Sequence, residues 1–272
     1  MSFRVRLIVL PLIVFLLFGG CTRKSSEGRK IKLSELRTES TKERDEQEVT
    51  ILKFEPEKQR SIAVLYFENK TGDLKLDWLR KGLAEMLITD LSQSRYLDVL
   101  SLERLYDIFK SLNKQAGQSM DIELADAVAK EAHVQAVLTG NFVKEGDSLK
   151  IIVQLREAGT GKLLKEEQVT GPGLERIFTM VDDLTRKIKD GLRVTLKGTE
   201  EIDRRLADLT TTSLEAYQHF TQGMDYNDQF FYTEAIEQFK KALELEPNNK
   251  AYVNNYLKFK RNYERAISNS RK

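Results

Sequence analysis

The sequence predicts an α/β sandwich, with helices packed on a sheet in the order βαβααβββα. Two observations predict it. A compact apolar run at Ile62–Phe67 (IAVLYF) ends in turn residues, and apolar residues at three- and four-residue steps follow it. Further on, three strand-like runs succeed one another across glycine-containing turns, which marks an antiparallel meander.

In order, Ile62–Phe67 reads as a buried strand, and Asn69-Lys70-Thr71-Gly72-Asp73 as the loop after it. Leu76, Leu79, Leu83, Met86, Leu87 and Leu91 give one apolar face of a helix. Tyr96–Leu100 is a short second strand. Ser101 can cap the next helix, which carries Leu102, Leu105, Ile108, Phe109 and Leu112. Another helix runs from about Asp121 to Glu131. Strands follow at Val134–Val143, Leu149–Leu155 and Lys162–Thr170, separated by Glu145-Gly146-Asp147 and Ala158-Gly159-Thr160-Gly161. Gly171-Pro172-Gly173 breaks the last strand. Leu174, Ile177, Phe178, Val181, Leu184, Ile188 and Leu192 then share one face of a long helix.

The chain has 272 residues, 40% hydrophobic and 32% charged, enough apolar mass for a core beneath a charged surface. Lys and Arg number 44 against 42 Asp and Glu, a net charge of +2. So even a balance supplies no global field for nucleic acid, and none is expected as a partner. The single cysteine, Cys21, excludes an internal disulfide and a cysteine metal cluster.

Cys21 directly follows an apolar run. Arg4 and Arg6 precede the wholly apolar residues 7–18, and Gly19-Gly20-Cys21 comes next. Positive flank, short apolar stretch and small residues are the layout of a secretory signal peptide. The run is shorter than the roughly 20 residues that span a bilayer. Leu17–Cys21 resembles a bacterial lipoprotein signal, with Phe18 where leucine is commonest. The resemblance implies a signal peptide over 1–20 and a mature chain whose Cys21 carries diacylglycerol and an amide-linked acyl chain such as palmitate. Several acyl chains anchor stably, since each buried methylene contributes about 0.8 kcal/mol. Thr22 follows the cysteine rather than the aspartate that retains such proteins at the inner membrane. The expected location is therefore the outer membrane, facing the periplasm. Residues 21–60 are charged and poor in apolar residues, so they read as the lipidated cysteine and a flexible tether.

Residues 61–196 resemble the TolB N-terminal-like (FlgO/CsgG-like) family. The matching words are Ile62–Phe67 with Asn69 and Thr71-Gly72-Asp73, then Gly82–Leu87 (GLAEML), Val137–Gly140 (VLTG) and the hairpins after them. Tyr66 departs from the pattern, which commonly has proline there. Gly72 permits a tight turn, and Gly140 suits a close backbone approach. The resemblance implies a non-catalytic interaction domain of the kind used in periplasmic assembly.

After a linker at 197–213, residues 216–249 resemble one tetratricopeptide repeat at its 34-residue period. Gly223, Tyr226, Ala235, Phe239, Ala242 and Pro247 fall on signature positions, while His219 and Gln222 depart from it. The resemblance implies an all-α helical hairpin. Its small residues let two helices approach, Tyr226 and Phe239 fill the seam, and Pro247 ends the second helix. One repeat cannot bury its own apolar face. Tyr252, Tyr256, Phe259, Tyr263 and Ile267 therefore read as a capping helix, completing a unit at 214–268. That unit is expected to dock on the first domain, a second copy or a partner.

Searching for chemistry yields no catalytic residue. His133 and His219 have no HExxH context and no metal-ligand neighbours, so no metal or other cofactor is expected. Thr160-Gly161-Lys162 lacks the earlier glycine and the following Ser or Thr of a phosphate loop, and sits between strands. The sequence thus reads as a non-enzymatic scaffold lipoprotein that binds protein partners in the cell envelope. The alternative is a homo-oligomeric component of a secretion or surface-organelle apparatus.

Overall fold

The computed structural model describes residues 59–114, 121–192 and 204–270. The signal peptide, Cys21, the tether up to residue 58 and the linker residues 197–203 lie outside the described residues. The described part is mixed α/β: one sheet, and eight helices besides two short 3-10 turns.

The sheet is built around β1 (Arg60–Val64), which pairs in parallel with β3 (Leu97–Val99) on one side and β4 (Ala136–Glu145) on the other. From β4 the chain turns back through β5 (Ser148–Glu157) and β6 (Leu163–Pro172), both antiparallel, so the order is β3-β1-β4-β5-β6. Ile62, Ala63 and Val64 are buried, as fits a central strand covered on both faces. Along β5 the pattern alternates instead. Leu149, Ile151, Val153 and Leu155 enter the core, while Lys150, Gln154 and Arg156 are half-buried.

The run expected as one strand stops at Val64. Leu65 N still donates to Leu138 O at 2.9 Å, but Phe67 N turns to Arg80 O at 2.9 Å. A two-residue strand, β2 (Glu68–Asn69), then pairs with β4 at Asn141 and Phe142. The Phe67 ring covers β4 at Gly140. A Cβ there would stand 2.3 Å from that ring and 2.8 Å from Ile152 O, so only glycine fits. The turn that follows is held by one side chain. Asn69 Oδ1 accepts from the Thr71 amide at 3.0 Å and from the Thr71 hydroxyl at 2.6 Å, and Gly72 adopts φ +77°.

β6 also runs further than expected, through Gly171 and Pro172. β6 is an edge strand, where the missing N–H of proline is tolerated, and the turn comes at Gly173 with φ +70°. Leu174–Arg176 then form a 3-10 turn before α4 (Ile177–Gly191).

The helices α1 (Trp78–Leu91), α2 (Leu102–Ser111) and α3 (Ile122–Ala132) come before the meander. Ser101 and Asp121 cap α2 and α3 through their side chains. His133 closes α3 in the left-handed conformation, at φ 55°. Past residue 203 come a helical turn α5 (Leu206–Leu209) and the helices α6 (Leu214–Asp228), α7 (Tyr232–Leu245) and α8 (Lys250–Ser270). Leu206 is fully buried in the α/β core, and its N–H donates to Asp182 Oδ1 at 2.9 Å. No helix among the described residues is long and apolar enough to cross a membrane.

Candidate functional site

Helices α6, α7 and α8 share a small core of seven buried side chains. Gly223 of α6 lies against the Phe239 ring, 2.7 Å from where a Cβ would sit, and Ala235 and Ala242 are buried beside it. Phe239 stacks on Phe259 at 4.6 Å, and Phe220 on Tyr252 at 4.8 Å. So Gly223, Ala235, Phe239 and Ala242 come together. Tyr226 does not join them. It is 36% exposed and meets Phe231 edge-on. Pro247 follows the end of α7 by two residues and is exposed. Cys21 lies outside the described residues.

This unit packs on α1. Tyr217 points away from the small core and into the α/β core, where its hydroxyl donates to Gly82 O at 3.2 Å. Gly82 leaves room for that ring, which would stand 3.6 Å from an added Cβ. One helical turn along, the Lys81 ammonium is 4% exposed and lies between two carboxylates of α6. It donates to Asp228 and stands 3.5 Å from Asp225 Oδ1. Tyr106 of α2 adds a hydrogen bond to Asp228 O at 3.1 Å. Helix α1 therefore buries two faces, one on the sheet and one under α6. Hence its burial extends beyond the apolar stripe read from the sequence to Lys81, Gly82 and Ile88.

Where α1 and α2 face α6 and α8, a cleft of about 420 Å³ remains. Its charged lining is Lys81 and Lys258 against Glu85, Glu103, Asp107 and Asp228. Lys258 pairs with Glu103 at 3.1 Å across the rim. Asn227, Asn255 and Asn262 supply amides, and Phe220, Met224 and Phe259 an apolar wall. Burial pushes the Glu85 carboxyl above the ordinary carboxylate range, and the Lys81 charge only partly offsets it. Burial likewise raises Asp225; Lys81 opposes this, and the Asp228 charge adds to it. Behind Lys81 lies Tyr66, 1% exposed, with the ammonium 5.8 Å from its ring centroid. Its hydroxyl has no hydrogen-bond partner. Burial first, then the charges of Asp228, Asp225 and Glu85, hold that phenol far above its usual range.

The other motifs resolve into local structure. Thr160-Gly161-Lys162 lies in the β5–β6 turn, with Gly159 and Gly161 at positive φ and Arg156 Nη1 donating to Gly161 O at 3.0 Å. His219 Nδ1 lies 2.7 Å from Gln238 Oε1, linking α6 to α7. Among the described residues, no group of three or more His, Cys, Asp or Glu side chains is placed to hold a metal ion. Sequence reading missed the Lys81 cluster. A lysine and an aspartate pair 147 positions apart leaves no local signal.

No family model matches the chain. A curated protein of Rhizobium meliloti (strain 1021), named "Putative adenylate cyclase 3", is 30% identical over 195 residues, covering 69% of this chain. The chain spans 30% of that protein's length. Solved structures with partial likeness include the LpoB C-terminal domain from Salmonella enterica. It is 18% identical over 42% of this chain and 83% of that one, with a TM-score of 0.37. TolB from Acinetobacter baumannii is 20% identical over 52% of this chain and 30% of that one, with a TM-score of 0.35. Lipoprotein GNA1162 from Neisseria meningitidis is 18% identical over 48% of this chain and 98% of that one, with a TM-score of 0.36.

The cyclase-named relative corrects one expectation. The sequence was read as non-enzymatic because it lacks familiar catalytic patterns. A relative named for an enzyme, similar over more than two thirds of the chain, overturns that exclusion. Absence of a recognised pattern excludes only the chemistries that have one.

Proposed function

We propose that the chain is a membrane-anchored, protein-binding scaffold of the bacterial cell envelope, held by a lipid on Cys21 and facing the periplasm. The α/β body and the repeat-like hairpin present one joint binding surface. The observation that carries this reading is the cleft between α1–α2 and α6–α8, a concavity to which both parts contribute polar and apolar walls. Anchoring at one surface raises the effective concentration of any partner confined there, so modest contacts suffice.

The test is site-specific photocrosslinking in cells. A photoreactive side chain at Asn255, on the cleft wall, should trap a partner protein. The same group at Gln154, on the half-buried face of β5, should not. Crosslinks only between copies of this chain would replace the scaffold reading with self-assembly. The lipid is tested separately by Cys21→Ser, which should release the chain from the membrane fraction.

The curated relative supports a second reading, in which this segment takes part in cyclic-nucleotide formation or its control. Purified full chain incubated with ATP and magnesium would yield cyclic AMP if it carries that activity. A rate no greater than buffer alone counts against the reading.

A further inference from the structure

The cleft holds more negative charge than its own cations compensate. Lys81 is shared between Asp228 and Asp225, and Lys258 is engaged by Glu103. Glu85 and Asp107 remain, lining the same space, and neither forms an ion pair among the described residues. A carboxylate at the wall of a partly desolvated cleft is costly unless a cation meets it. A second observation is independent of this charge count. The Tyr66 hydroxyl is buried without a partner, among Lys81, Glu85, Tyr106 and Asp228, all of which line the cleft. Orphaned buried hydroxyls are rare, and one at the inner end of a cleft marks a position where a ligand polar group completes the bonding. The remaining lining is three amides and an apolar wall that includes Phe220 and Phe259.

We propose that the cleft takes an arginine side chain of a protein partner, its guanidinium between Glu85 and Asp107 and reaching the Tyr66 hydroxyl. Arginine suits the site better than a compact cation. Its five donors in a planar fork can meet several acceptors at once, and its flat face stacks on aromatic rings. A metal ion is a poorer match, since no cluster of three ligating side chains forms among the described residues. The undercompensated carboxylates have the signature of a site completed by a positive charge. Burial raises Glu85, and an arriving guanidinium would lower it again and release a proton.

The inference rests on the partner-binding reading and can fail without it. The probe is a fluorescein-labelled heptapeptide with a central arginine between two phenylalanines. Its twin carries citrulline, which keeps the shape and removes the charge. Binding to the full chain in detergent micelles is read by anisotropy. The arginine peptide should saturate the protein, and the citrulline twin should bind about tenfold more weakly or worse. Glu85→Gln and Asp107→Asn should each weaken the arginine peptide about three- to tenfold and leave the twin unchanged. Asp107 is exposed, so its variant keeps the test valid if the Glu85 variant folds poorly. Tyr66→Phe should weaken the arginine peptide without lowering the melting temperature. Equal binding of both peptides, indifference to Glu85→Gln and Asp107→Asn, or no saturable binding would each overturn the inference. If the Asn255 crosslinker still captures its partner in any of these cases, the scaffold reading stands and only the arginine assignment falls.

Discussion

The α/β body and the three-helix unit solve the same packing problem at different scales. The body's core runs from the sheet through α1, α2, α3 and α4, so any one side chain is a small part of it. The core of the α6–α8 unit has seven buried side chains, three of them alanine or smaller than leucine, and depends on two aromatic stacks. A core that small does not hold an independent domain. The unit is steadied from outside, by Tyr217 in the body's core and by Lys81 between Asp225 and Asp228. The body is thus self-sufficient and the hairpin conditional, which makes the junction the place where binding and stability can be coupled.

The most severe test of that contrast adds one methyl group to each core. Gly140→Ala drives a Cβ into Phe67 and the Ile152 carbonyl, where backbone blocks relief. It should cost about 3 kcal/mol and unfold the whole chain at lower denaturant. Gly223→Ala meets only the Phe239 ring, which can shift. Its cost should be about 1.5 kcal/mol and local. Hydrogen exchange decides the matter: amides of α6–α8 should lose protection while those of β4 and β5 keep theirs. Equal loss in both regions would show a single cooperative core.

Lys81→Met addresses the junction itself. It keeps the apolar stem and leaves Asp225 and Asp228 without their cation. Complete burial would make such a loss worth about 3–5 kcal/mol. Asp225 is 34% exposed, so about 2 kcal/mol is expected, again confined to the α6–α8 amides.

Glu85→Gln should act in the opposite direction. The folded state raises the Glu85 carboxyl, so it holds its proton to higher pH than the unfolded chain does. Stability on this account falls as pH rises from the ordinary carboxylate range through the raised folded value. Below that range both states are protonated and nothing is lost. The variant should therefore gain about 1 kcal/mol at neutral pH and nothing near pH 3, as read by paired denaturant titrations. Asp225 contributes with the same sign.

The smallest effect is expected at the hairpin tip. Phe230 is 61% exposed and holds φ at +65°, a conformation that costs a residue with a side chain about 1–2 kcal/mol. Phe230→Gly relieves this but frees the unfolded chain, so a net gain of about 0.5 kcal/mol should appear as a slightly higher melting temperature. A loss instead would show that the ring contact with Tyr232 matters more than backbone strain.

Local pattern made much of this protein legible in its sequence. The meander followed from glycine-bounded runs, the α2 cap from Ser101, the close approach at Gly140 from its place in a strand, and the small-residue seam from Gly223, Ala235 and Ala242. These features depend on neighbours within a few residues, or on a repeat whose spacing is itself in the chain. What failed was also local. Ile62–Phe67 looked like one strand because apolarity marks burial, not pairing, and Phe67 is buried over Gly140 rather than in the ladder. Only the tertiary structure decided which second face α1 would bury, that Tyr217 would serve the other core, and that Lys81, Glu85, Asp225, Asp228 and Tyr66 would meet. Those residues come from elements far apart in the chain, and their interaction is electrostatic and set by distance. Charge at a position can be read from sequence, but its surroundings come only from the fold that brings the elements together.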